Sequence, residues 1–377
     1  MRVLHLMSCR GWSSDAYWAA CISAELERAG HRTTLVCKAG SEARVIDRAR
    51  AIGVGRVATL ALRSGVHAAS DARDLRALLG WLPDTDVVHV HRGKEHWLAA
   101  LANRFAASPR PIVRTRHIVQ AVRPHALNRW LYGRATSLVV TVTEAIRRQY
   151  VSATLVPAER VVALPGGVDL GRFHPGVDGA GFRRALGIAP DVPLIGLVAG
   201  LRVMKGHLVA VEVARRLAER GRRFHMVFIG AGALEAGIRR AITDAGLQDR
   251  VSMAGFVADL PAAIAALDVA LYAAFESEGM SRVLFEYLAM GKPVVATRVG
   301  VVPEVLEDGR TALLVPAEEP GPLTAAIERL LDDAGLCARL GGAASALARE
   351  RLSGAQVARA LAALYARLPT AGGRAMR

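Results

Sequence analysis

Val269-Ala-Leu-Tyr-Ala-Ala-Phe-Glu-Ser-Glu-Gly-Met-Ser-Arg-Val-Leu-Phe-Glu-Tyr-Leu-Ala-Met-Gly-Lys-Pro-Val-Val-Ala296 changes its periodicity twice. The apolar run 269–272 has the length of a buried strand. Polar residues and Gly279 follow, then 282–290 carries the pattern of a helix, Gly291-Lys-Pro293 stops it, and 294–296 is a second apolar run. Strand, helix and strand in so short a span make a βαβ unit, whose two strands run parallel because the helix returns the chain to its starting edge. Parallel sheets are covered on both faces, so their strands read as continuous apolar runs.

The same alternation continues in both directions. It predicts strands at 194–198, 225–229, 251–253 and 312–315, and in the first half at 3–7, 32–37, 57–62, 87–91, 112–115, 138–142 and 160–164. Helical patterns fall at 16–29, 75–82, 97–106 and 144–151. Pro165, Gly166, Gly167, Pro175 and Gly176 cluster without periodicity and mark a seam. With 377 residues, the chain suits two α/β domains better than one. We expect an α/β protein of two Rossmann-like domains facing across a cleft, 1–170 and 171–354. A last helix at 355–368 packs back on the first domain, and a disordered tail occupies 369–377.

Composition narrows the function classes. Cys9, Cys21, Cys37 and Cys337 are scattered, with no spacing for a zinc site or a disulfide framework, which fits a reducing cytoplasm. Leu6-Met-Ser-Cys9 has too short a lead to be a lipoprotein cleavage box, and no run of 18 apolar residues is present. The net charge of +15 comes almost entirely from arginine, since only Lys38, Lys94, Lys205 and Lys292 are lysines. It has two readings, a solvated basic surface or a face for anionic lipid and phosphate-rich substrates. No aromatic-basic interleaving supports nucleic acid as a partner.

In open parallel sheets ligands sit beyond the carboxyl ends of the strands, often at helix N-termini. Glu278 and Glu286 follow strand 269–272, and eight residues of helix span roughly 12 Å. That separation matches the two ends of an extended nucleotide sugar, with the amides of Met280, Ser281 and Arg282 meeting its diphosphate. The same residues also read as a solvated helix position and a helix-dipole partner. Spacing alone leaves both open.

The flanking residues resemble the signature of family-4 glycosyltransferases of the GT-B fold: Glu278 and Glu286, then Met290-Gly-Lys-Pro-Val-Val295. Val302-Pro-Glu-Val-Leu-Glu-Asp-Gly-Arg-Thr-Ala-Leu-Leu-Val-Pro316, Lys205-Gly206 and Leu164-Pro-Gly-Gly-Val-Asp169 continue the resemblance. Ala29-Gly-His31 and Asp86-Val-Val-His-Val-His91 extend it more loosely into the first half. The resemblance implies a retaining glycosyltransferase moving a sugar from a nucleotide-sugar donor to a glycan or lipid-linked acceptor. Its setting would be bacterial cell-surface polysaccharide or lipopolysaccharide synthesis, in the cytoplasm or peripheral at the inner face of the plasma membrane. Glu286 would bind the ribose, Glu278 the transferred sugar, and Gly279, Met280 and Ser281 would lie against sugar and phosphates.

Arg202 and Lys205 follow strand 194–198 and would neutralise the leaving diphosphate, whose charge grows as the glycosidic bond breaks. The commoner family pattern puts its arginine at the position of Gly200, so Arg202 is a departure. Val113-Arg-Thr-Arg-His117 ends a first-domain strand. The resemblance places His117 near donor sugar or acceptor hydroxyl as a polar positioner, with Arg114, Arg116 and Arg123 making the acceptor side positive for a phosphate-bearing acceptor. Gly11, in the first loop, would allow close backbone approach.

Asp84-Thr85-Asp86 enters strand 87–91 at the wrong end of the sheet for a metal site. No His, Cys or carboxylate cluster offers a better one. Metal-independent transfer is expected, with no cofactor, the nucleotide sugar being a substrate. No carboxylate stands out as a nucleophile on the sugar's far face, so retention is expected by a same-face route in which the departing phosphate accepts the acceptor's proton. The competing readings are a nucleotide-sugar epimerase on the same fold and a non-catalytic basic scaffold at a membrane.

Overall fold

The computed structural model describes residues 1–276 and 279–369. It divides into two compact units, Met1–Gly167 together with the segment that begins at Ser353, and Val168–Leu352. The seam thus falls at Gly167, and Ser353 starts the return to the first unit.

The first unit is a seven-stranded sheet in the order β3-β2-β1-β4-β5-β6-β7, with every described pairing parallel. Its strands are β1 Arg2–Met7, β2 Arg32–Lys38, β3 Val57–Leu60, β4 Val87–Val90, β5 Ile112–Arg116, β6 Leu138–Thr141 and β7 Val161–Ala163. The second unit is a six-stranded parallel sheet ordered β10-β9-β8-β11-β12-β13. Its strands are β8 Leu194–Val198, β9 His225–Ile229, β10 Val251–Gly255, β11 Val269–Tyr272, β12 Val294–Thr297 and β13 Leu313–Val315. Both are doubly wound Rossmann-like sheets. The strand order reverses between β1 and β4 in one and between β8 and β11 in the other, and such switch points open a crevice at the carboxyl ends.

Alternation along each strand builds the cores. In the second unit Leu194, Val227, Ala270, Val294 and Ala296 face one hydrophobic cluster. Ile195, Met226, Phe228, Val269, Leu271 and Val295 face another on the opposite side of the sheet. In the first unit the helix Ser14–Arg28 buries almost its whole length against Met7, Leu35 and Cys37. The helix Gly354–Ala366 packs on that helix. Trp18 is fully buried, and a Cβ at Gly167 would stand 2.9 Å from its ring, at φ +104°. Glycine is therefore required there twice over, by space and by backbone.

One helix begins earlier than its apolar pattern implies, at Ala68 rather than near 75. Its first turn, Ala68-Ala69-Ser70-Asp71, carries no large apolar side chain and is held by Asp71, which accepts from His67 N at 3.0 Å and Lys94 Nζ at 2.6 Å. Among the described residues no helix is long and apolar enough to cross a membrane.

Candidate active site

At the second unit's switch point two loops are fastened by backbone. The turn Val203–Lys205 ends at Gly206, whose φ is +75° and whose added Cβ would lie 1.9 Å from the Ala273 carbonyl oxygen. Phe275 N donates to Met204 O at 3.1 Å. Only glycine permits this approach, and it sets exposed Arg202 and half-buried Lys205 on the loop beside the segment that leads into Gly279. Gly279 has φ +127°, and Met280 and Ser281 lead directly into the helix Arg282–Ala289. The Ser281 side chain does not cap that helix. Glu278, expected to hold the transferred sugar, lies outside the described residues.

Glu286 is 1% exposed. One carboxylate oxygen takes the Arg282 Nε at 3.0 Å, and the other, Oε2, is buried without a partner. Burial pushes the carboxyl up from its ordinary value, against the pull of Arg282 and Arg172. An unmet buried acceptor costs about 1–3 kcal/mol, and Oε2 keeps the capacity to accept a further hydrogen bond. The next residue anchors the helix: Tyr287 Oη accepts from Val198 N at 2.7 Å, tying it to the end of β8. Lys292 is structural, its Nζ donating to the carbonyls of Ala265 and Leu267.

The first unit's switch point is built differently. Buried Glu95 accepts from Ser8 N at 3.2 Å and Arg92 N at 2.7 Å, joining the loops that follow β1 and β4. Asp15 accepts from Arg92 Nε at 2.7 Å and from Ser13 Oγ. Burial opposes its ionisation, yet Arg92, His117 and Ser13 together hold the carboxyl well below its usual range. Gly11 has no atom within 4 Å of an added Cβ and no left-handed backbone. Its loop has room for a ligand but no present need of glycine.

Behind these loops lies a histidine cluster. His5 and His89 are adjacent in the β1–β4 register and His91 is two residues on, so all three share one face. His5 Nδ1 lies 3.2 Å from His91 Nε2, and His91 Nδ1 lies 3.2 Å from His117 Nε2. His89 bonds Tyr365 Oη through Nδ1 and Thr115 Oγ1 through Nε2 at 2.6 Å. Burial lowers His5 to about 3, and His89 and His91 well below their ordinary value. It lowers His117 to about 4, with Asp15 opposing and Arg114, Arg92 and Arg116 assisting.

One histidine group not singled out from the sequence has the spacing of a candidate metal site: ligand atoms of His5, His89 and His91 lie within 4.8 Å of one another. With one nitrogen donating and one accepting to neighbouring hydroxyls, His89 has no lone pair left for a metal. The signal was present in sequence, since His5 and His89-Val-His91 sit at matching phases of two strands. Recognising it required knowing that β1 pairs with β4.

A correction concerns Arg114. It is 2% exposed, with Nε and Nη1 unpartnered, so it lies inside the sheet's packing and not on a positive acceptor surface. β5 extends through Arg116, which puts residue 114 within the covered part of the strand. Arg116 is half-buried and donates to Gln120 O, and Arg123 is exposed in the following loop. Asp84 and Asp86 are both engaged by Arg2 at the amino ends of β1 and β4.

Comparison with known proteins bears on these arrangements. Residues 18–172 match the family model "Glycosyltransferase Family 4" and residues 192–333 match "Glycosyl transferases group 1". A D-inositol 3-phosphate glycosyltransferase of Actinosynnema mirum is 30% identical over 291 residues, 70% of this chain and 68% of that protein. The chain belongs to the family-4 glycosyltransferases. An MMP alpha-(1->4)-mannosyltransferase of Mycolicibacterium hassiacum is 31% identical over 319 residues, 78% of this chain and 73% of that relative. In fold, the chain matches the crystal structure of Anabaena Alr3699/HepE in complex with UDP, with a TM-score of 0.83 and 21% identity. The match covers 98% of this chain and all of that one. The GT-B class of two Rossmann-like domains is therefore the fold of this glycosyltransferase.

Proposed function

We propose that this glycosyltransferase takes its sugar from a nucleotide-sugar donor held in the second unit and transfers it with retention, without a metal ion, to a glycan or lipid-linked acceptor. The observation that carries the reading is the fastening of the Val203–Lys205 turn to the 273–275 segment. It supports a diphosphate resting between Arg202 and Lys205 on one side and the amides of Met280, Ser281 and Arg282 on the other. Glu286, with its unmet Oε2, suits the ribose hydroxyls, and Glu278 and Gly279 suit the sugar. As the glycosidic bond breaks, negative charge builds on the diphosphate, and the two cations stabilise it more than they stabilise the bound donor. The departing phosphate oxygen then accepts the proton of the incoming hydroxyl on the same face.

His117, with Arg116 and Arg123 nearby in sequence, is assigned to the acceptor or sugar hydroxyls. A phosphate-bearing acceptor accords with the name of the Actinosynnema relative and with the chain's net charge of +15. We further place the protein in the cytoplasm, at the inner face of an anionic membrane, in the assembly of cell-surface glycans. Trp97 stacks on Trp130 at 5.8 Å, and Leu101, Phe105 and Leu127 are exposed on the same two helices. Beside them Arg104, Arg110 and Arg134 line a 350 Å³ pocket with Trp130. Apolar side chains ringed by arginines suit a headgroup layer.

The test is protection against thermal unfolding by UDP-, GDP- and ADP-sugars, since a ligand of the native state raises its stability. One of them should raise the midpoint in the native chain and fail to do so in Lys205→Ala. NMR of the product should show the donor's anomeric configuration. An inverted product would sink the same-face route, and conversion of the donor sugar without any acceptor would favour an epimerase.

A further inference from the structure

Three rings, His5, His91 and His117, form an unbranched chain through two nitrogen–nitrogen contacts of 3.2 Å each. At its ends are two atoms buried without partners, His5 Nε2 and His117 Nδ1. His5 and His91 are almost wholly inaccessible, and Trp18 packs edge-on against both His91 and His117. The charged groups that bear on the chain are Asp15, Arg92, Arg114 and Arg116. His89 lies beside it, already bonded to Tyr365 and Thr115.

Proton counting leaves few arrangements. A neutral imidazole carries one N–H and one lone pair, and each contact needs one of each. If His91 holds its proton on Nε2, it donates to His5 Nδ1. His5 must then hold its own proton on Nε2, and His117 must donate from Nε2. If His91 holds its proton on Nδ1, it donates to His117 Nε2, and every ring carries its proton on Nδ1. No mixed neutral arrangement keeps both hydrogen bonds.

The two arrangements differ in where the unpaired N–H lies, at His5 Nε2 or at His117 Nδ1. Buried N–H groups without a partner are rarer than buried acceptors without one. Both end atoms are buried, but the Asp15 carboxylate acts on His117 and favours an N–H there, whereas His5 feels burial and no such charge. We propose that His5 and His91 are positioning residues: through two hydrogen bonds they lock His117 as the Nδ1–H tautomer, a neutral hydrogen-bond donor whose remaining nitrogen is occupied and cannot take a proton. The locking is independent of substrate. Its consequence for transfer rests on the assignment of His117 to the sugar or acceptor: His117 donates to an oxygen there and is excluded as the general base.

Long-range proton–nitrogen spectra of the full chain labelled with 15N-histidine test this, with His→Phe variants giving the assignments. At pH 7 His5, His91 and His117 should all show the Nδ1–H pattern. His5→Phe removes a ring that does not touch His117, yet it should release His91 and turn the His117 signal into a mixture of tautomers. His91→Phe should do the same and lower kcat about fivefold, the effect of one hydrogen bond. His91→Asn, whose side-chain amide can donate where Nδ1 did, should restore both the pattern and most of kcat. Different tautomers among the three wild-type rings, or a His117 signal indifferent to His5→Phe, would overturn the proposal. The expected spectra with unchanged kcat in His91→Phe would keep the chain and remove His117 from the transfer reaction.

Discussion

The two switch points share a topology and almost nothing else. Between β1 and β4 the space is filled by side chains: His5, His89 and His91 stack with ring centroids 4.7–5.5 Å apart, with Trp18 against them. Between β8 and β11 it is closed by backbone, with Gly206 against Ala273, whose carbonyl oxygen an added Cβ would approach to 1.9 Å. The first holds desolvated imidazoles behind the Asp15–Arg92 pair, and the second carries Arg202, Lys205 and a buried carboxylate with one oxygen unmet. Strand order decides where a crevice opens, and the residues at the strand ends decide its chemistry.

The sharpest way to break this contrast is acid. A histidine whose pKa falls on folding takes up its proton only in the unfolded chain, so stability is lost as pH drops below its ordinary value of 6.5. Each such buried ring contributes a slope of up to about 1.4 kcal/mol per pH unit, and His96, fully buried and lowered by the same burial, adds to His5, His89 and His91. Asp15 acts in the same direction at lower pH, because its depressed carboxyl contributes stability that is lost on protonation. In the second unit buried His207, lowered to about 4, acts alike, while the raised Glu286 carboxyl works the other way. All five tryptophans, Trp12, Trp18, Trp81, Trp97 and Trp130, belong to the first unit. Tryptophan fluorescence should therefore report unfolding between pH 6 and 4 ahead of the far-UV circular dichroism of the whole chain. Coincident transitions would show that the units do not differ in this way.

The cationic side is tested by activity. Lys205→Ala should lower kcat by about 10²–10³, or 2.7–4 kcal/mol of barrier, by analogy with the loss of one oxyanion donor. The midpoint of unfolding without ligand should barely move, since Lys205 is half-buried on a turn. A loss confined to KM would mean that the lysine only binds donor and does not follow the growing charge.

Glycine separates the two loops next. Gly206→Ala meets a carbonyl oxygen at φ +75° and should destabilise the second unit by roughly 2–4 kcal/mol. Gly11→Ala meets nothing within 4 Å at an ordinary backbone angle and should leave stability within about 0.5 kcal/mol. Thermal unfolding of the two variants decides it, and equal midpoints would remove the distinction between a backbone-closed and an open loop.

Strands 194–198, 225–229 and 269–272 were legible to the residue because buried parallel strands are written as uninterrupted apolar runs. The Val203–Lys205 turn and the Gly279–Ser281 loop were legible as strand-to-helix connections because each follows such a strand. What the sequence hid depends on contacts between strands that are not neighbours in the chain. The histidine chain needs β1 beside β4, more than 80 residues apart. Glu95 carries no mark of its role in the local sequence, because that role exists only once the loop after β1 closes on it. Arg114 looked like a strand-end cation because the strand's end was placed one residue early and its covered face was invisible.

The smallest effect is the most discriminating, because stability and function should move in opposite directions. Glu286 has its carboxyl raised by burial, so the folded chain holds the charged form at a disadvantage and loses stability as pH rises through the raised value. Glu286→Gln removes that charge while keeping the shape and should stabilise the second unit near neutral pH, an advantage that fades toward acid. Arg282 sets a limit on the gain, because its Nε loses an ionised partner at 3.0 Å. Protection by the nucleotide sugar should weaken in the same variant, since an amide accepts ribose hydroxyls less well than a carboxylate. A residue serving only the fold would show no such opposition. If Glu286→Gln lowers the unfolding midpoint without ligand and leaves donor protection intact, Glu286 is a partner for Arg282 and the ribose is held elsewhere.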